Sequence, residues 1–355
     1  MKSSSHAPTL RSIAQELKIH VSTVSRVLNG TDEDARAAAS EPTVRRIREL
    51  AQQRNYRPNL QAKGLRTNRS NSIAAFLPYI SDLVGAMIYE GINEAALRRG
   101  YVTFMAHTGD NLEHEREQLA NALGRKVDGL IFADARPQCR PMLDELQQRG
   151  MPLVLVSRHL GPDFCSITCD DLLGGRMAAE HLLSLGHTRL AVLAGLEFAS
   201  TGADRARGFV DHCAACGVDI PSQWVLHSAF HADAGYQMGL QLFSRRPFPT
   251  AVFATNDFLA IGLMGAARDA GLRIGQDVAI VGFNDTPLAA YLPVALTTIH
   301  SPMHEMGFRG MELLQQCISG MRPDSVRLQP QLRIRHSTQP DAKLEAPRHL
   351  SPLHT

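Results

Sequence analysis

The stretch Val21-Ser22-Thr23-Val24-Ser25-Arg26-Val27-Leu28-Asn29 decides how this chain reads. Val24, Val27 and Leu28 recur at helical spacing and predict a buried face, which leaves Val21, Ser22 and Arg26 on the other. A helix with small residues at its exposed start and an arginine one turn on suits the DNA major groove. Arg26 can pair bidentately with guanine O6 and N7, and Val21 can meet a thymine methyl. Upstream, Thr9 caps a first helix with Leu10, Ile13, Ala14 and Leu17 inward, and Lys18-Ile19-His20 makes the turn between the two. Downstream, Asn29-Gly30 stops the second helix. Ser40-Glu41-Pro42 opens a further one that turns Val44, Ile47, Leu50 and Ala51 inward as far as about Arg54. Residues 30–39 read as a loop, so the expected head has three helices. Thr23, Ser25, Asn29, Ser40, Thr43 and Tyr56 carry groups suited to phosphates, which fix position without reading sequence.

The charge distribution supports this reading. The 355 residues carry a formal charge of +2. Residues 1–70 hold 13 Lys and Arg against 6 Asp and Glu, or +7, and the remainder 24 against 29, or −5. A basic head on a mildly acidic body is the balance that phosphate binding by one domain requires. With 44% hydrophobic and 20% charged residues the chain can fill more than one core. No run of 18 apolar residues occurs, and Met1-Lys2-Ser3-Ser4-Ser5-His6 does not read as an export segment, so the expected location is the cytoplasm, at the nucleoid, without membrane association. The six cysteines are expected to be free thiols. Cys213-Ala-Ala-Cys216 has no second ligand pair and falls in a helical stretch, so packing is its expected role and no metal or cofactor is called for.

From Ser70 onward short apolar runs alternate with amphipathic helices. Strands are predicted over 72–78, 101–106, 129–133 and 153–156, then 190–194, 251–254 and 278–283, with a helix through Ile88, Ile92 and Ala96 after the first. This α/β order predicts two parallel-sheet lobes. Ligands of open parallel sheets bind beyond the carboxyl ends of the strands, which nominates Tyr79, Ser81, Ser157, Arg158, Asn256 and Asn284.

The head segments, together with Asn55-Tyr56-Arg57-Pro58-Asn59, resemble the signature of the LacI/GalR family of bacterial repressors. The likeness extends through Asp171, Arg205-x-x-Gly208-Phe209, Thr255-Asn256-Asp257 and Gly282-Phe283-Asn284-Asp285 to about residue 338. The resemblance implies an all-α helix-turn-helix head on a two-lobed, periplasmic-binding-protein-like α/β core. Val21, Ser22 and Arg26 then stand at base-reading positions. Asn59 joins the phosphate contacts, residues 59–65 form a hinge helix, and Ala62 and Leu65 enter the minor groove. Arg205 and Phe230 join the effector residues as hydrogen-bonding and stacking groups, while Phe209 and Phe283 are expected in the core.

The implied division is a head over 1–58, a hinge and linker over 59–70, a core over 71–338 and a flexible tail over 339–355. Within the core the first lobe takes about 71–163 and 297–324, and the second about 164–296 and 325–338. The implied partners are double-stranded operator DNA, a small-molecule effector and a second copy in a homodimer. Ser157 and Asn284 stand where relatives often carry Asp, beside Arg158 and Arg205, which admits a sugar acid or sugar phosphate as well as a neutral sugar. Three departures from the family pattern are His20, in place of a usual Ser cap, the lengthened 30–39 stretch, and Gly64, which lowers the intrinsic helicity of the hinge. An exported solute-binding protein would have no operator-reading head. An enzyme would need a nucleophile elbow, a metal-spaced His pair or a phosphate loop, and none is found.

Overall fold

Four helices, rather than the expected three, build the head: α1 (Leu10–Leu17), α2 (Val21–Asn29), α3 (Asp32–Ala38) and α4 (Glu41–Gln53). The computed structural model describes residues 8–56, 69–81 and 83–341. The correction lies in α3, which the sequence reading took for a loop. Thr31 and Asp34 close a reciprocal capping box, the side chain of each bonded to the backbone N–H of the other. Three acids in the first turn complement the helix dipole. Only Ala35 of this helix is fully buried, joining Ile13, Val24, Val27 and Ile47 in the head core. Beside it only the half-buried Ala38 of this helix packs on that core, which leaves little periodic signal to read.

Residues 1–70 and 71–355 form separate units. In the second, one sheet has the order β11-β5-β4-β3-β1-β2 and the other β12-β10-β9-β8-β6-β7. The first comprises β1 (Ser72–Leu77), β2 (Val102–His107), β3 (Gly129–Phe132), β4 (Leu153–Val156), β5 (Ser166–Cys169) and β11 (Val326–Leu328), all parallel. The second comprises β6 (Leu190–Leu193), β7 (Val225–Leu226), β8 (Ala251–Ala254), β9 (Ala279–Asn284), β10 (Thr297–His300) and β12 (Gln331–Arg333). Only β12 runs antiparallel.

These pairings move the expected lobe limits. Residues 166–169 and 326–328 belong to the first sheet and 297–300 to the second, so the chain crosses between lobes after β5, after β10 and between β11 and β12. The strands responsible are three or four residues long and include polar Ser166, Thr168, Thr297, Thr298 and Arg327, which hid them from a hydrophobic-run criterion.

Three helix pairs carry the packing, each held by reciprocal glycines: α5 (Val84–Leu97) with α12 (Met303–Ile318), α8 (Asp171–Ser184) with α9 (Ser200–Ala215), and α10 (Ala232–Phe243) with α11 (Asp257–Asp269). A Cβ on Gly91 would lie 2.0 Å from the His304 carbonyl oxygen, and one on Gly307 1.9 Å from that of Ile88. Gly175 and Gly208 stand likewise at 2.0 and 2.1 Å from the carbonyl oxygens of Arg205 and Leu172, and Gly235 and Gly262 at 2.2 and 1.8 Å from those of Leu259 and Ala232. The obstacle is backbone in every case, so no side chain can yield. Gly175→Ala is expected to lower the unfolding free energy by about 1–3 kcal/mol. Gly124→Ala, at a helical site with no atom within 4 Å, should leave stability unchanged or raise it. Urea denaturation of the two variants side by side checks this, and equal stabilities would refute the close-approach argument.

Candidate DNA-reading face and ligand cleft

On α2 the structure exposes Ser22 and Arg26 and buries Val24 and Val27. Val21, expected to face outward, is half-buried against the head core, and Thr23, two positions on, is half-buried too. His20 supplies the N-cap, its ring nitrogen accepting from the Ser22 amide. The expected phosphate-binding groups fall into two sets. Asn29 Nδ2 donates to Ser25 Oγ at 3.4 Å and Asn29 is also hydrogen-bonded to Tyr56, whose phenol is raised from its ordinary pKa by burial. The Ser40 and Thr43 hydroxyls bond each other at 3.0 Å in the first turn of α4. Arg54 pairs with Glu16 and Arg48 with Asp32. Among the described residues Arg26 makes no such pair. Asn59, Ala62 and Leu65 lie outside the described residues.

In the core, a cleft of about 500 Å³, part of it open to solvent, collects the carboxyl ends of the strands of both sheets. Tyr79, Ser157, Arg158, Arg205, Phe230, Asn256 and Asn284 line it. Ser81 does not; it is exposed on the surface. Pro78, Val84, Gly85, Ile88, Ala133 and Thr201 also line it, and sequence reasoning missed them. The start of α5 gave no capping signal, because its N-cap is Leu83 in a left-handed conformation without a side-chain bond. Thr201 stands at the start of α9, well past the end of β6 and beyond the reach of a strand-end criterion.

The cleft is pre-set by strain and by charge pairing. Ser157 has φ +69° and Asn284 φ +109°, both non-glycine residues in a region that costs about 1–3 kcal/mol. Asn284 is 3% exposed, and among the described residues its Oδ1 has no hydrogen-bond partner. Arg158 grips Asp110 with both Nη atoms, at 2.6 and 3.0 Å. Arg205 donates from Nε to Asp171 Oδ1 at 2.7 Å and from Nη1 to the Thr255 carbonyl at 2.8 Å, with its guanidinium 3.8 Å from the Phe283 ring centroid. Neither arginine therefore offers the spare positive charge that the sequence suggested. Asn256 is also committed at both ends of its amide, accepting from Leu259 N as the cap of α11 and donating to the Phe230 carbonyl. Phe230 sits where Gly195 and Gly202 leave room, since a Cβ at Gly195 would lie 2.1 Å from its ring. Across the mouth, the Tyr79 ring meets His231 edge-on at 4.8 Å, and His159 Nε2 bonds Asp204 at 3.0 Å.

Comparison with known proteins places this geometry. A periplasmic binding protein-like domain matches residues 179–338. The HTH-type transcriptional repressor PurR of Escherichia coli O139:H28 is 30% identical over 335 residues, 93% of this chain and 96% of that one. The chain belongs to the LacI/GalR family. Among solved structures, the lac repressor dimer bound to operator and the anti-inducer ONPF matches with a TM-score of 0.84 at 25% identity, covering 94% of this chain and 100% of that one. The transcriptional regulator CelR in complex with cellobiose matches with a TM-score of 0.70 at 28% identity, covering 93% and 99%. This LacI/GalR chain is accordingly a DNA-binding transcription regulator with an effector-binding core. Among its described residues no helix is long and apolar enough to cross a membrane.

This LacI/GalR core also holds a buried carboxylate at the start of α11. Asp257, fully buried, accepts from Thr286 N at 2.7 Å, Thr286 Oγ1 at 2.9 Å and Thr298 Oγ1 at 2.6 Å. Burial outweighs these bonds and pushes its carboxyl up to about 6 from an ordinary 3.8. Asp171 is pushed up to about 6 by the same cause, against the pull of Arg205. A carboxyl whose folded pKa is raised favours folding when protonated. Its contribution is fully present below about pH 4 and is lost as pH rises through about 6, on the order of 3 kcal/mol for one such group. Asp257→Asn should flatten the decline in core stability between pH 4 and 6, as followed by denaturation at a series of pH values. An unchanged slope would mean that Asp257 is ionised throughout.

Proposed function

We propose that this chain represses a carbon-source or sugar utilisation operon, and that a small sugar-like effector bound between the lobes sets its affinity for the operator. The observation that carries this reading is a cleft lined by the polar side chains of Ser157, Thr201 and Asn284 whose two arginines are already paired with carboxylates. The Phe230 ring offers a flat apolar face there, and Ser157 and Thr201 add hydroxyls, while the Tyr79 hydroxyl donates to the Gly109 carbonyl at 3.0 Å. With Arg158 and Arg205 each held by a carboxylate, a neutral polyhydroxylated ligand fits better than a sugar acid or sugar phosphate, which would have to draw an arginine from its partner.

The same reading assigns operator contact to the head over 1–58, with residues 59–70 as hinge and linker and 339–355 as a tail. The protein then acts in the cytoplasm, at the nucleoid. A homodimer would place two heads on a pseudo-palindromic site. The free edge strand β2 supports association with a second copy, since Val102 and Met105 are 51% and 43% exposed there. Effector control requires that the ligand bind two lobe arrangements with different affinity.

Two experiments test these assignments. Selection of bound duplexes from a randomised pool should enrich a two-fold-related motif, and Arg26→Ala should relax its guanine preference at one position per half-site by about tenfold or more. A pool without a motif, or a guanine preference untouched by Arg26→Ala, would refute the reading helix. For the cleft, neutral sugars should raise the thermal midpoint more than the corresponding sugar acids. Asn284→Gly suits a backbone at positive φ and should weaken ligand binding about tenfold while preserving the fold. Stabilisation by acids alone would overturn the neutral-ligand assignment.

A further inference from the structure

The cap of the reading helix fixes the hydrogen-bonding polarity of the residue beside it. His20 and Ser22 are both exposed at the start of α2. The Ser22 backbone N–H donates to His20 Nδ1 at 3.3 Å, and Ser22 Oγ lies 2.6 Å from the same nitrogen. A backbone amide can only donate, so Nδ1 carries no proton and the neutral ring holds its hydrogen on Nε2. The 2.6 Å contact then has one possible direction, with the Ser22 hydroxyl donating to Nδ1. That is the only proton the hydroxyl has. What Ser22 turns outward is lone pairs.

We propose that His20 is a specificity-determining residue that makes Ser22 an acceptor-only reader of the base edge. An unconstrained serine hydroxyl can donate or accept and so discriminates little. A serine whose proton is taken can accept only from the exocyclic amino groups of adenine and cytosine, and meets the keto oxygens of thymine and guanine with lone pair against lone pair. His20 need not touch the base; it acts through Ser22. The inference rests on the reading of Ser22 as a base contact.

The test is duplex selection with the full-length protein as wild type, His20→Asn, His20→Gly and Ser22→Ala. Asparagine caps the helix and offers Oδ1 as an acceptor, whereas glycine caps at little cost and offers none. Wild type and His20→Asn should enrich adenine or cytosine at one position per half-site. His20→Gly should lose that preference by about tenfold, with the guanine read by Arg26 retained as the sign of an intact helix. Enrichment of a keto base by wild type, or an amino-base preference retained in His20→Gly, overturns the proposal. If Ser22→Ala leaves the motif unchanged, Ser22 is not a base contact and the proposal falls with that reading. If Ser22→Ala loses the preference and His20→Gly keeps it, the proposal alone falls. A second measurement does not depend on the variants folding. In the ¹⁵N-labelled wild-type protein the His20 ring should show the Nε2–H tautomer, and a proton on Nδ1 would refute the geometry.

Discussion

Backbone touching backbone at three helix crossings is the constraint on which the core depends. Glycine is present on both partners at each crossing, so the helices approach until carbonyl oxygens stand where a methyl group would be. This sets the spacing of the layer that covers the sheets and so the places where the following loops emerge. The crossing of Gly175 against Arg205 bears most directly on the site, because the carbonyl it touches belongs to the residue whose guanidinium enters the cleft. Helix spacing and ligand geometry are thus set by the same contact.

The cleft was legible in sequence to the extent that parallel sheets present ligand groups at strand ends. Tyr79, Ser157, Arg158, Asn256 and Asn284 came from that rule, and Arg205 and Phe230 from family resemblance. Ser81 falls outside the cleft because a residue two places further along a turn no longer lines it. The commitments of each group were not legible, since they depend on residues far away in the chain. Asp110 neutralises Arg158 across 48 positions, and Asp171 neutralises Arg205 across 34. A pattern reading counts charges and cannot see which are already paired.

The fold shows a similar division. Long apolar runs such as 72–77 and 190–193 announced themselves as strands, and the amphipathic helices of the head were plain from their periodicity. The elements that escaped, α3, β5, β7, β10, β11 and β12, are short or polar, and the strands among them exist because neighbours supply what their own sequence lacks. Thr31 and Asp34 satisfy the first turn of α3 locally, while β11 and β12 hold their places only by pairing with β5 and β10.

The three crossings of the chain between lobes bear on how this protein is made. The outermost strands β11 and β12 come from residues 326–333, and α12, which packs on α5, comes from residues 303–318. Neither sheet has its full complement of strands until residues 326–333 have left the ribosome. The earlier strands of both lobes must wait with an edge unpaired and an apolar helix face uncovered. A message truncated before codon 326 would yield two unfinished lobes rather than one complete lobe and one missing. The order of synthesis therefore completes the two lobes together rather than one before the other.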